Sequence, residues 1–134
     1  MIETPVMAYT WRKPGGIEQE VGAWSEVEPD MILQFAVLGS GSRGNSALVC
    51  HDGGAGLLID IGLGPRALDQ RLASVQSDWS RISAVVLTHT HGDHIDSATI
   101  QVMVRRSIML YCHEAHREAL DTDQGFQDLD RLGL

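Results

Sequence analysis

From Ile32 onward the hydrophobic and polar positions follow two periods, and the changes between them mark out the elements. Ile32-Leu33-Gln34-Phe35-Ala36-Val37-Leu38 is a nearly unbroken apolar run and predicts a buried strand. Gly39 to Asn45 reads as a Gly/Ser loop. Ser46 to Cys50 and Gly56 to Ile61 predict a hairpin closed around Asp52-Gly53-Gly54. Pro65 suits the first position of a helix, where its missing N–H costs nothing, and Leu68, Leu72 and Val75 supply that helix with an apolar stripe. Ile82 to Leu87 predicts a second buried strand. A histidine-rich loop follows it, and then a helix from about Ser97 to Arg106, capped by Asp96 or Ser97 and burying Ile100, Met103 and Val104. Ile108 to Cys112 reads as a short strand and Glu114 to Leu120 as a short helix, and the tail from Asp121 is acidic and weakly patterned. Strands that first form a hairpin and then alternate with helices predict an α/β domain, a mixed β-sheet with helices packed on it.

The stretch before this pattern is different. Residues 1–30 hold six acidic and two basic residues, Pro5, Pro14, Pro29 and a Gly15-Gly16 pair, with no sustained period. They are read as a loose N-terminal extension. Met31 stands immediately before the first regular strand and is a candidate translation start, so the regular part is expected to be residues 31–134.

Composition narrows the function. The chain has 134 residues and a formal net charge of -8, a poor balance for non-specific binding to a phosphate backbone. A small electropositive site remains open to it, because bound metal ions can supply one. No apolar run reaches the roughly 18 residues of a spanning helix, so no membrane is expected as a partner. No basic stretch followed by an apolar run marks a secretory signal. Cys50 and Cys112 lie in apolar runs and are read as reduced core thiols of a cytoplasmic protein, with a single buried bridge as the alternative.

The chemistry concentrates in Thr88-His89-Thr90-His91-Gly92-Asp93-His94, which holds three of the chain's six histidines. Imidazole and carboxylate both bind zinc and similar divalent ions. In extended chain, positions i and i+2 project to one side, so His89 and His91 can share one metal. Gly92 permits a sharp turn, after which Asp93 and His94 can hold a second. The alternative is a polar surface loop with solvated histidines. Gly39-x-Gly41-x-x-Gly44 matches a dinucleotide-binding fingerprint in form, but a strand follows the last glycine where a helix is required. The same loop lacks the Gly-Lys-Ser/Thr of a P-loop. Its small residues leave backbone N–H groups open to anions, and Ser40, Ser42 and Asn45 are candidates for contacting a substrate phosphate; the alternative is a tight connection whose glycines serve geometry alone.

His-x-His-x-Asp-His behind an apolar strand ending in Thr88 resembles the signature of the metallo-β-lactamase superfamily. Leu57-Leu58-Ile59-Asp60-Ile61-Gly62 resembles that family's second motif, and Leu38-Gly39-Ser40-Gly41-Ser42-Arg43-Gly44-Asn45-Ser46 is similar to its YycJ/WalJ-like exonuclease branch. The resemblance covers about Phe35 to Leu120. It implies an αββα sandwich of which this chain is the N-terminal half only. It further implies a metal-dependent hydrolase, a phosphodiesterase or nuclease working through a hydroxide held between two divalent ions. Zinc is the expected metal and manganese the second choice. His89 and His91 would bind one ion, Asp93 and His94 the other. Asp93 would also orient the nucleophile, and Asp60 and Thr88 would support the loop from behind. A phosphodiester or nucleic-acid substrate follows from the branch, and a lactonase or thioesterase of the same superfamily is the competing chemistry. The family's remaining ligands come from later strands. His113 and His116 are the histidines that follow the motif, and they are read as ordinary helix-surface residues. The alternative function is therefore a non-catalytic fragment that needs its C-terminal half or a partner. An exposed sheet edge in such a half-fold invites self-association.

Overall fold

The computed structural model describes residues 7–12, 32–51 and 54–134. Among the described residues there are six strands, β1 (Met7–Arg12), β2 (Ile32–Gly39), β3 (Ser46–His51), β4 (Gly56–Ile59), β5 (Ile82–Leu87) and β6 (Met109–Cys112). They form one sheet in sequence order. The first four are antiparallel neighbours, whereas β4–β5 and β5–β6 are parallel pairs. Parallel neighbours require crossovers, and two helices supply them: α1 (Pro65–Ser74) between β4 and β5, and α2 (Ser97–Arg106) between β5 and β6. Two further helices, α3 (Arg117–Leu120) and α4 (Gln124–Leu132), follow β6. The α/β arrangement expected from the sequence is the one that forms.

The register shows how the pattern of side chains becomes a core. Ala36 pairs with Leu48, Leu48 with Leu58, Leu58 with Val85 and Val85 with Leu110, a row crossing five strands on one face. Ala36, Leu48, Leu58 and Val85 are buried there against Leu68 and Leu72 of α1, Ile100 and Met103 of α2 and Leu129 of α4. Leu68, Leu72 and Ile100 lose all contact with solvent, as the helical stripes require. The α2 cap is Asp96, whose side chain accepts from the Thr99 amide at 2.8 Å. By alternation the opposite sheet face carries Phe35, Val49 and Leu57, cross-strand neighbours that are half-buried.

Two expectations need correction. The tail from Asp121, acidic and weakly patterned in the sequence, nevertheless carries an ordered helix, because α4 forms there and docks on α2. Asp123 caps it, accepting from the Phe126 amide at 3.1 Å, and Gly133 ends it in the left-handed region at φ 74°. Phe126 and Leu129 are its buried side chains. A Cβ on Gly125 would lie 2.7 Å from Ile100 Cγ2, so the missing side chain sets how closely α4 approaches α2. Asp121, Asp123, Asp128 and Asp130 mask a short apolar stripe in the composition. The second correction concerns residues 1–30, expected to be loose throughout. Met7–Arg12 runs antiparallel to β2, from Met7 opposite Val37 to Arg12 opposite Ile32. An edge strand is held by backbone pairing and needs no sustained period of its own; Tyr9, Thr10 and Trp11 favour extended backbone by propensity. The rest of that segment lies outside the described residues.

Cys50 and Cys112 are free and half-buried, on strands β3 and β6 at the margins of the core rather than within it. Three strand spacings separate β3 from β6, roughly 14 Å, beyond the reach of a disulfide. Burial pushes the Cys112 thiol above its ordinary value, with Arg117 only partly offsetting it. At about pH 8 Cys112 should therefore react with iodoacetamide more slowly than a peptide cysteine, and its rate should still climb at higher pH. Peptide mass mapping of the alkylation time course checks this, and a peptide-like rate would contradict it. β6 borders the sheet, and at this edge the Leu110 amide donates to the Leu134 carbonyl at 2.9 Å. Among the described residues no helix is long and apolar enough to cross a membrane.

Candidate functional site

Because β4 and β5 are parallel neighbours, their C-terminal ends lie at the same end of the sheet, the usual place for a site in an α/β protein. Asp60 follows β4 and Thr88 follows β5. Asp60 adopts φ 62°, a left-handed conformation that aspartate tolerates better than most residues, and is only 5% exposed. Its Oδ1 accepts from the Thr88 backbone N–H at 2.7 Å. Its Oδ2 accepts from Thr88 Oγ1 at 2.6 Å and from His94 Nδ1 at 2.8 Å. A carboxylate offers only acceptors, so the hydrogen of a neutral His94 ring sits on Nδ1 and the lone pair on Nε2.

His94 Nε2 faces Asp93 Oδ2 at 3.6 Å, too long for a hydrogen bond. Two ligand atoms at about 2.05 Å from one tetrahedral zinc are separated by roughly 3.3 Å, so this pair lies within a few tenths of the spacing that chelation needs. The ring centroids of His89 and His91 are 3.9 Å apart, and those of His89 and His94 are 5.2 Å apart, both pairs edge to face. His89, Asp93 and His94 are half-buried, while His91 and Gly92 are exposed. The loop thus brings all four proposed ligands together. Among the described residues, however, no three His, Cys, Asp or Glu side chains are arranged so as to hold one metal ion. In donor chemistry the residues fit divalent ions, and as a cage they are a partial set. The His113 and His116 rings meet edge to face with centroids 6.3 Å apart, and His113 Nδ1 accepts from the Ala115 amide at 3.1 Å.

Three backbones meet beneath the loop. Asn45 N donates to Asp93 O at 2.7 Å, Gly62 N to Asn45 O at 2.9 Å, and Ile61 N to His94 O at 2.9 Å. The contact leaves no room for side chains. A Cβ on Gly62 would lie 1.9 Å from the Asp93 carbonyl oxygen, and one on Gly44 would lie 2.6 Å from the Gly62 carbonyl oxygen. Ser40 and Ser42 are exposed. Asn45 differs from them, because its side chain turns inward to Gly41 and Asp93. Sequence reasoning names the ligand candidates and Asp60 but misses the packing of Gly44 and Gly62 and the inward direction of Asn45. Glycine spacing was the available signal, and it does not say which backbone comes close.

The fold and this loop define a class. The sequence pattern of the metallo-beta-lactamase superfamily matches residues 39–131, from the Gly/Ser loop through most of α4, and the chain belongs to that superfamily. It is 33% identical over 104 residues to "Exodeoxyribonuclease YycJ" of Bacillus anthracis, covering 72% of this chain and 38% of that protein. It is 30% identical over 99 residues to "Exodeoxyribonuclease WalJ" of Streptococcus pneumoniae serotype 2 (strain D39), covering 73% of this chain and 36% of that protein. It is also 36% identical over 70 residues to "Ribonuclease Z" of Mycolicibacterium gilvum, covering 48% of this chain and 23% of that protein. The chain therefore spans 38% and 36% of the lengths of the first two relatives. At the level of the family, this is the fold of a metal-dependent hydrolase with nucleases among its members.

Proposed function

We propose that these residues serve a metal-dependent phosphodiesterase of the nuclease type. The observation that carries this reading is the Asp60–His94–Asp93 arrangement. A buried carboxylate holds His94 with its Nε2 lone pair directed to the Asp93 carboxylate, 3.6 Å away. In this reading His89 and His91 hold one divalent ion and Asp93 and His94 a second, with zinc favoured by the imidazole-rich set and manganese second. Such ions supply Lewis acidity to the entering and leaving oxygens of a phosphodiester. The chain's own residues do the rest. Asp60 keeps the His94 hydrogen on Nδ1, Thr88 holds Asp60 in place, and Asp93 orients the attacking nucleophile. The Ser40 and Ser42 hydroxyls are exposed, where a substrate phosphate can be met, whereas the Gly41, Gly44 and Asn45 amides are engaged within the chain. The nuclease names of the relatives support a nucleic-acid substrate over a lactone or thioester.

A second reading has its own support. Among the described residues no three-ligand cluster closes, and the chain spans little over a third of its first two relatives. By itself the chain is then a partial site that needs ligands from a C-terminal continuation or a partner.

The test is zinc- or manganese-supported hydrolysis of bis(p-nitrophenyl) phosphate, single-stranded DNA and a simple lactone, by this chain and by the protein extended to the length of its relatives. The extended protein should cleave the phosphodiesters. His91→Ala and Asp93→Ala should each lower turnover on the order of 100-fold or more. Turnover of the lactone alone would overturn the phosphodiesterase reading. Phosphodiester cleavage by the 134-residue chain alone would overturn the second one.

A further inference from the structure

We propose that Asn45 is a positioning residue that sets the direction of the Asp93 carboxylate and does not contact substrate. This rests on the reading of residues 88–94 as a metal-holding loop. The polar atoms of Asn45 are already engaged within the chain. Oδ1 accepts from the Gly41 amide at 3.0 Å. Nδ2 lies 3.0 Å from the Gly41 carbonyl oxygen, 3.0 Å from the Asp93 carbonyl oxygen and 3.2 Å from Asp93 Oδ2. An amide group has two hydrogens, so one serves Gly41 and the other is shared between the two Asp93 oxygens. The Asn45 backbone repeats the link, through its N–H to Asp93 O and its carbonyl to the Gly62 amide.

The oxygen that Asn45 grips is the one that matters. Asp93 Oδ2 is held at 3.2 Å by Asn45 Nδ2 and faces His94 Nε2 at 3.6 Å. Asp60 fixes the histidine of this pair and Asn45 fixes the carboxylate, each from a different loop. The type of donor also counts. A lysine or arginine at this place would put a fixed positive charge beside a site for cations, and an aspartate would repel Asp93. A neutral amide orients the carboxylate and leaves its charge available. Asn45 and Asp93 are 48 residues apart, so the link is tertiary and couples the Gly/Ser loop to the histidine loop.

The test compares the full chain with Asn45→Ala and with Asn45→Asp, which keeps the volume but turns the donor into an acceptor. Amide hydrogen exchange is followed without metal, and cobalt(II) is then titrated with its visible spectrum as readout. Exchange of the His94 and Ile95 amides should rise at least about tenfold in both variants while the Leu58 and Val85 amides stay protected. Cobalt affinity should fall about 10- to 100-fold in both, with altered bands. If Asn45→Asp behaves like the unaltered chain, Asn45 only fills space and the proposal is overturned. Looser exchange with unchanged cobalt affinity and spectrum overturns it as well. If the unaltered chain gives no cobalt bands, the metal reading of the loop fails for this chain. The exchange data then still decide whether Asn45 holds Asp93, and unchanged His94 and Ile95 exchange means that it does not.

Discussion

Asp60→Asn should leave the protein folded but turn His94 the wrong way round. The Asn side chain is close in size to aspartate, and it tolerates the left-handed conformation at φ 62°. Its oxygen can still accept from the Thr88 amide. Its NH2 group then faces Thr88 Oγ1 and His94 Nδ1, which the carboxylate now bonds at 2.6 and 2.8 Å. His94 can answer only by moving its hydrogen to Nε2, and the lone pair aimed at Asp93 is lost. The stability cost should be about 1 kcal/mol, one weakened hydrogen-bond set. The affinity for divalent ions should drop on the order of 10- to 100-fold, the usual effect of losing the partner behind a ligating histidine. Nitrogen NMR of the imidazole reads the tautomer directly, and retention of the Nδ1–H form would refute the argument. Asp60→Ala should act differently. It abandons both Thr88 donors and puts alanine where a left-handed backbone is required, so its loss should reach about 3 kcal/mol in urea unfolding.

Gly62→Ala should be the more damaging change to the fold. The added Cβ would lie 1.9 Å from the Asp93 carbonyl oxygen and 2.8 Å from the Asn45 nitrogen. These are backbone atoms, so no side-chain rotation relieves the clash. The loops carrying Asn45 and Asp93 must separate, breaking the 2.7 Å bond from Asn45 N to Asp93 O. Overpacking typically costs about 1–3 kcal/mol, and a contact this close against fixed backbone should cost about 3 kcal/mol or more. Denaturant midpoints measure it. A variant as stable as the original, with unchanged exchange at Ile95, would show that the loops are not packed in this way.

Both predictions concern contacts that no local pattern displays. The elements themselves were legible because each carries its own signal. The apolar run from Ile32, the Leu68–Leu72 stripe, the Pro65 start and the Asp96 cap act within a few residues of chain. The misses had local causes as well. In α4 the Phe126–Leu129 stripe is brief and surrounded by acidic residues, and β1 draws its order from pairing with β2.

The candidate site divides along the same line. That His89 and His91 fall on one side of the chain, with Asp93 and His94 past a glycine turn, follows from spacing alone, and their rings do meet. The sequence by itself determined the elements and this cluster of donors, because helix and strand periods and the spacing of neighbouring side chains are short-range properties of the backbone. Only the tertiary structure decided that Asp60 reaches His94, that Asn45 reaches Asp93, and that Gly44 and Gly62 leave space where the three loops cross. Those meetings join residues 34 and 48 positions apart. They depend on β4 lying parallel to β5 in one particular register, which the packing of the whole core selects.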